Sequence, residues 1–311
     1  MLKLKFYVVL VLKGMAMGAA NVIPGVSGGT IALITEIFER LINAIKSFDL
    51  KAVKLLARGK FRSFIQHTDL YFLLAIMAGI IIAIVSLARL FDFLFRDYPV
   101  YIWAFFFGLV LASVYFVGKR ITKITPAVII TFILGTAIAV AITFLSKGQE
   151  SDNFFYLILC GVAAICSMIL PGLSGSFILF IMGNYRLVAI DAINERDFSI
   201  LFPVILGAVV GLIAFSHILA WVFKKYRNET ISVLTGFILG SVSILWPWQR
   251  PNFLTNADGD RIIKNGEEVI THYSRYVPDE FGSEFWFAIM WIIVGILSIW
   301  AIEKLAKGRS R

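Results

Sequence analysis

The sequence predicts an all-α polytopic membrane protein made of two inverted-topology repeats, each a re-entrant helical hairpin plus three transmembrane helices. Three observations predict this fold class. The 311-residue chain is 59% hydrophobic and only 16% charged, whereas soluble domains hold about 25% charged residues. Its apolar residues gather into long segments, several close to the ~20 residues needed to cross a hydrocarbon core. A short motif, PGxSG, occurs twice, at 24–28 and 171–175, in matching surroundings. Such a composition excludes a soluble enzyme, a disordered chain and a disulfide-stapled secreted domain. Cys160 and Cys166 share one apolar run and lack the spacing of a metal site.

In chain order, segments 4–20 and 30–45 form a first pair, joined by the tip 21-NVIPGVSGGT-30. Full spans follow at 70–91, 100–117 and 125–146. A second pair, 154–170 and 174–193, is joined by 168-MILPGLSGSF-177, and spans at 200–223, 230–249 and 285–305 complete the chain. Neither tip carries a charge or an interfacial aromatic, which a tip at the far surface normally would. Both pairs are therefore read as re-entrant, since irregular backbone at depth is tolerated only within protein or a wet cavity. The first repeat then covers 1–147, with its hairpin at 4–45. The second covers 154–306, with its hairpin at 154–193 and an extracytoplasmic insertion at 250–284. Inside that insertion, Arg261 to Ile270 reads as a β-hairpin turning on Asn265-Gly266.

Charge sets the orientation. Lys and Arg collect before and within the first segment, in 46–69, at 119–123, at 224–227 and after 303, while the alternate connections carry most of the acids. The positive-inside rule places this basic set and both termini in the cytoplasm. The net charge of +9 thus reflects sidedness, and no nucleic acid is expected. Lys3, Lys5 and the small residues of 16–20 look like a signal peptide, but a cleaved segment would not carry an element that 161–193 repeats.

The repeat is explicit. Gly14, Asn21, Pro24, Gly25, Ser27 and Gly28 align at a constant offset with Gly161, Met168, Pro171, Gly172, Ser174 and Gly175, and 108-GLVLASV-114 aligns with 236-GFILGSV-242. A hairpin plus three spans makes an odd number of crossings, so the second half is inverted. Inverted repeats with broken helices meeting near the midplane are a transporter pattern.

Each tip has the residues of an anion site. Pro24 and Pro171 end the incoming helix, and Gly25 and Gly172 permit positive φ. Ser27 and Ser174 cap the outgoing helix. With Asn21, Gly28, Gly29 and Thr30 on one tip and Gly175 and Ser176 on the other, free amides at the positive end of a helix dipole would face the membrane centre, suited to phosphate or carboxylate. A tight-turn packing device would use the same small residues; two copies in inverted halves favour the site. Beyond the first tip, Glu36 and Arg40 have the i,i+4 spacing of an ion pair. With Glu39 they form either a proton-coupling relay or a snorkelling interfacial group. Arg186, at the position equivalent to Glu39, either attracts an anionic headgroup from outside or anchors the interface. Arg89 and His217 lie toward the ends of equivalent spans, and the lone His217 reads as a satisfied core residue. No nucleophile–base set, zinc spacing or P-loop occurs, so neither enzymatic chemistry nor a cofactor or metal is expected.

Through 14-GMAMGAANVIPGVSGGTIALITEIFERLINAI-45 and 169-ILPGLSGSFILFIMGNYRLVAIDAI-193 the chain resembles the bacterial polyprenyl-phosphate (undecaprenyl phosphate) transporters, formerly domain of unknown function 368. The resemblance implies a flippase of the cytoplasmic (inner) membrane that returns undecaprenyl phosphate from the outer to the inner leaflet and so supports cell-envelope synthesis. It implies that Pro24, Gly25, Ser27, Gly28, Gly29 and Thr30, with Pro171, Gly172, Ser174, Gly175 and Ser176, hold the substrate. Two positions depart from the expected pattern: Glu36 stands where Gly183 suggests a glycine, and Arg186 where an acid is commoner. The lipid, the bilayer and a second copy of the chain are the partners compatible with this reading. The residues alone leave a secondary transporter of a small soluble anion open. The lipid carrier would work by rocking of the two halves, with a proton on the headgroup or on Glu36 or Glu39 as the coupling ion.

Overall fold

The computed structural model describes residues 2–22, 27–145, 148–253, 263–264, 267–268, 270–278 and 281–307. The first pair consists of α1 (Leu2–Val22), α2 (Gly28–Ile34) and α3 (Phe38–Lys46). Short helices α4 (Leu50–Ala57) and α5 (Phe61–His67) occupy the basic connection and lead to α6 (Leu70–Asp97), α7 (Pro99–Gly118) and α8 (Pro126–Thr143). The second pair is α9 (Phe154–Ile169), α10 (Gly175–Ile181), a π-turn at Leu187–Asp191 and α11 (Ala192–Asn194). Then come α12 (Phe198–Lys225), α13 (Arg227–Ser241, continued by a 3-10 turn to Leu245) and α14 (Ser283–Lys307). Among the described residues, six helices are long and apolar enough to cross a membrane: α6, α7, α8, α12, α13 and α14. The chain is an all-α multi-pass membrane protein.

Both outgoing legs differ from the sequence expectation. Segments 30–45 and 174–193 are not continuous helices, and each breaks about two turns after its tip. α2 ends in a Schellman turn, with the Glu36 amide on the Leu33 carbonyl and the Ile37 amide on the Ala32 carbonyl. α10 ends identically, with Gly183 on Phe180 and Asn184 on Leu179. The residue in the left-handed region is Glu36 in one leg (φ 63°) and Gly183 in the other (φ 83°). The anomalous Glu36 of the sequence comparison thus stands where the backbone requires positive φ.

Four close helix pairs build the bundle, and glycine permits each. A Cβ on Gly14 would collide with the Ile76 carbonyl and one on Gly79 with Val11, which locks α1 to α6. Gly161 and Gly207 do the same for α9 and α12, Gly108 and Gly295 for α7 and α14, and Gly135 and Gly236 for α8 and α13. Small residues of this kind let helices in lipid gain dispersion contact, since apolar burial drives nothing there. The Ser232 hydroxyl adds a hydrogen bond to the Val128 carbonyl at 2.6 Å across the α8–α13 pair. In the span windows, 67% of α13 and 50% of α7 are buried, against 17% for α8 and α14. α7 and α13 therefore form the centre, and the exposed apolar faces of the other spans are for lipid.

The insertion contains β1 (Gln249–Phe253) paired antiparallel with β4 (Ile270–Arg275), and β2 (Ile263–Lys264) paired with β3 (Glu267–Glu268). Lys264 faces Glu267 across the β2–β3 pair, the register a two-residue turn requires. The expected turn residues Asn265 and Gly266 lie outside the described residues. The sheet docks through Trp248, which stacks on Phe285 and packs with Ala104 and Ala288 over α7 and α14.

Candidate functional site

Residues 23–26 of the first tip, Pro24 and Gly25 among them, lie outside the described residues. Ser27 is extended (φ −108°, ψ 135°) and its hydroxyl accepts the Gly29 amide at 3.1 Å, capping α2. The side-chain oxygen of Asn21, at the end of α1, accepts the Gly28 amide at 2.8 Å. The Ser27 hydroxyl also donates to the Leu170 carbonyl at 3.2 Å. That bond ties the first tip to the second, and Ser27 is buried at the junction.

The second tip repeats the backbone and changes the side chains. Ser174 has φ −109° and ψ 134°, nearly the Ser27 values. Gly172 has φ 84°, and a Cβ there would lie 2.7 Å from the Phe237 carbonyl oxygen, so conformation and space both demand glycine. Ser174 does not cap α10; its hydroxyl lies 2.7 Å from that of Ser176. Met168, at the Asn21-equivalent position, has no oxygen to offer the Gly175 amide. The first helix start is thus satisfied by its own side chains, while no side chain caps the second.

The two tips share a cavity of about 270 Å³. Asn21 and Ser27 line it from one side, and Ser174, Gly175 and Ser176 from the other, with Tyr185 at the far wall. Among the described residues, no charged side chain lines it. Any anion held there would be held by hydroxyls, the Asn21 amide and backbone dipoles. Pro171 is buried behind the second tip, and Thr30 is buried one turn into α2.

A second, apolar cavity of about 670 Å³ begins beside the first tip. Ala16, Ala19 and Ala20 of α1 and Ile31 of α2 form one wall, and aromatic residues of α7 form the other. Ala20 precedes Asn21 and Ile31 follows Ser27 by one helical turn, so the apolar and polar cavities flank the same junction of α1 and α2.

The charged candidates are placed elsewhere. Glu36 and Arg40 do not pair, because the left-handed turn at Glu36 interrupts the helix on which i,i+4 spacing would count. Glu36 pairs with Arg120 at 3.2 Å, Arg40 with Asp69 at 2.7 Å, and Glu39 with Arg227 at 2.8 Å. Arg40 also lies over the Phe72 ring at 4.2 Å. By the length of α2, roughly 10 Å separates Glu36 from the tip cavity. Arg186 pairs with Asp191 at 3.2 Å and does not line the cavity, although its neighbour Tyr185 does. His217 places Nδ1 2.9 Å from the Ile213 carbonyl oxygen of its own helix. The side chain of Arg89 lies outside the described residues.

Sequence reasoning missed two cations. The Lys13 ammonium donates to the Thr35 carbonyl at 2.6 Å, and the Arg120 guanidinium to the Ile34 carbonyl at 2.8 Å. Both carbonyls are orphaned by the end of α2. Burial, chiefly, pushes the Arg120 pKa down, with Glu36 opposing it; a guanidinium remains protonated regardless. The missed signal was a lysine inside an apolar run, costly in a membrane unless it has a partner.

A family model described as VCA0040-like, undecaprenyl phosphate translocase-like, matches residues 17–262. A polyprenyl-phosphate transporter of Vibrio cholerae serotype O1 is 35% identical over 307 residues, covering 97% of each chain. A polyprenyl-phosphate transporter of Staphylococcus aureus is 30% identical over 254 residues, covering 76% of this chain and 85% of its own. No solved structure matches.

Proposed function

The chain belongs to the VCA0040-like, undecaprenyl phosphate translocase-like family, and from that premise we propose that it carries a polyprenyl monophosphate between the leaflets of a bacterial cytoplasmic membrane. As a transporter family, it implies no reaction chemistry. Flux runs from the outer to the inner leaflet, with the basic connections on the cytoplasmic side. The headgroup occupies the cavity between the two tips, where Asn21, Ser27, Ser174 and Ser176 and the uncapped start of α10 replace its hydration. The prenyl chain lies in the apolar cavity between α1 and α7.

The observation that carries this reading over a soluble-anion carrier is the juxtaposition of those cavities. A free anion needs no apolar chamber beside its site, and about 670 Å³ falls in the range of ligand pockets. The repeat relation is supported by helix pairing: α7 pairs with α14 while its counterpart α13 pairs with α8. Because these pairs cross between the halves, the moving units of alternating access are better taken as α1–α6 and α9–α12 against a fixed α7, α8, α13 and α14. Glu36 is the proposed coupling carboxylate, acting on the α2 break through Arg120 and not on the headgroup directly.

The test uses purified protein in liposomes containing a polyprenyl monophosphate, with leaflet exposure of the phosphate followed in time. Ala16→Trp or Ala19→Trp fills the apolar chamber and is expected to slow transfer at least tenfold while leaving the tip residues unchanged. Uptake of inorganic phosphate with no movement of prenyl phosphate would replace this reading with the soluble-anion carrier.

A further inference from the structure

A half-polar groove of about 400 Å³ lies at the opposite end of the α2–α3 leg, between α3 and the end of α12. Its floor is apolar, formed by Ile42 and Phe223, both buried. Its rim carries Lys46, Lys224 and Arg227 against the single carboxylate of Glu39. Arg227 and Glu39 already satisfy each other at 2.8 and 3.4 Å. Lys46 and Lys224 make no hydrogen bond or ion pair among the described residues. The groove therefore offers a net charge of +2 beside an apolar floor. A phosphate monoester carries roughly −1.5 to −2 at neutral pH, and one attached to a hydrocarbon chain would match both parts.

We propose that this groove is a second phosphomonoester site, occupied by the headgroup of the carried lipid on the basic face of the protein. The proposal rests on the lipid-transport reading and adds a stage to it. The α2–α3 leg would run from the neutral cavity between the tips, which Ser27 lines, to a cationic groove along α3. A dianion bound only by dipoles in the first can be drawn toward paired ammonium groups in the second. Helix-end lysines also stabilise the helix dipole. That role needs no apolar floor and no convergence of cations from two helices.

The experiment uses the full-length protein in detergent with a photoreactive farnesyl monophosphate, mapping labelled peptides. Labelling is expected at two places, the tips and the α3–α12 groove. The Lys46→Gln/Lys224→Gln double variant should lose groove labelling at least tenfold and keep tip labelling, and Lys46→Arg/Lys224→Arg should retain both. Inorganic phosphate in excess should compete weakly, and phosphatidylglycerol much less than unlabelled farnesyl phosphate. Groove labelling unchanged in the double glutamine variant overturns the proposal. So does equal displacement by phosphatidylglycerol, which would mark a general anionic-lipid surface, or displacement by inorganic phosphate as strong as by farnesyl phosphate. Labelling confined to the tips refutes the second site and leaves the transport reading standing. Labelling at neither place refutes both.

Discussion

Glu36→Gly separates conformational strain from ion pairing at the break after α2. Glu36 holds φ 63° at the left-handed position of a Schellman turn. An L-residue in that region costs about 1–2 kcal/mol, which glycine would not. Against this gain stand two losses. Glycine makes the unfolded chain more flexible, worth about 0.4–1 kcal/mol. The pair with Arg120 disappears, but the Glu36 side chain is 60% exposed, and such pairs contribute about 0.2–1 kcal/mol. Arg120 keeps its bond to the Ile34 carbonyl, so no buried donor is orphaned. The net change should lie within about 1 kcal/mol of zero. The equivalent substitution in the other leg, Gly183→Ala, behaves differently. Gly183 has φ 83°, and the new Cβ would lie 2.7 Å from the Gln149 carbonyl carbon. Strain and overpacking together should cost about 2–5 kcal/mol. Thermal unfolding of the two purified variants measures the contrast: Glu36→Gly near the parent, Gly183→Ala well below it. If Glu36→Gly melts as early as Gly183→Ala, the Glu36–Arg120 pair sustains the turn and the strain argument is wrong.

Five further outcomes are expected. Ser27→Ala should weaken headgroup binding by about 1 kcal/mol. Gly175→Val should abolish it, because its Cβ would already lie 2.7 Å from Met168 Cγ and 2.9 Å from the Ala164 carbonyl oxygen; equilibrium binding of farnesyl phosphate decides. Glu36→Gln should flatten the pH dependence of liposome transport while leaving binding intact; an unchanged pH profile removes Glu36 from coupling. Gly108→Leu should prevent recovery of folded protein, since its side chain would enter the Ile292 backbone of α14; size-exclusion chromatography reports this. At Asp49, chiefly the Ala52 amide hydrogen bond lowers the carboxyl pKa. The cap's contribution to α4 is thus present above the ordinary value of about 3.9 and lost as pH falls through the lowered one. Hydrogen-exchange protection of α4, corrected for intrinsic rates, should drop with acid in the parent and stay level in Asp49→Asn.

The six spans were legible because a membrane demands long apolar runs and the run lengths are short of ambiguity. The tips were legible because proline, glycine and serine at fixed offsets leave the backbone few alternatives, and Ser27 and Ser174 do share one conformation. The break in each outgoing leg was less visible. Gly183 signalled it, but the equivalent Glu36 is a good helix former, and only a left-handed turn imposed by the surrounding packing explains it. The ion pairs were illegible for a different reason. Arg120 and Arg227 reach Glu36 and Glu39 from distant segments, and periodicity within one helix carries no information about such partners. The asymmetry of the tips was written in the sequence as Asn21 against Met168, yet its meaning depended on knowing which amide each faces.

The α7–α14 pair has a consequence for how the protein is made. Gly108 lies in the first half and its partner, the Ile292 backbone, in α14, about 180 residues later in the sequence. During synthesis α7 enters the membrane long before α14 emerges, and domains ordinarily settle in the order they are translated. Here the central helix must wait with a bare glycine face turned toward lipid or toward insertion machinery. A chain cut short before Ser283 would hold every tip residue and still lack the strip that closes its centre. Such a nonsense product should be a substrate for membrane proteolysis and not a weak transporter.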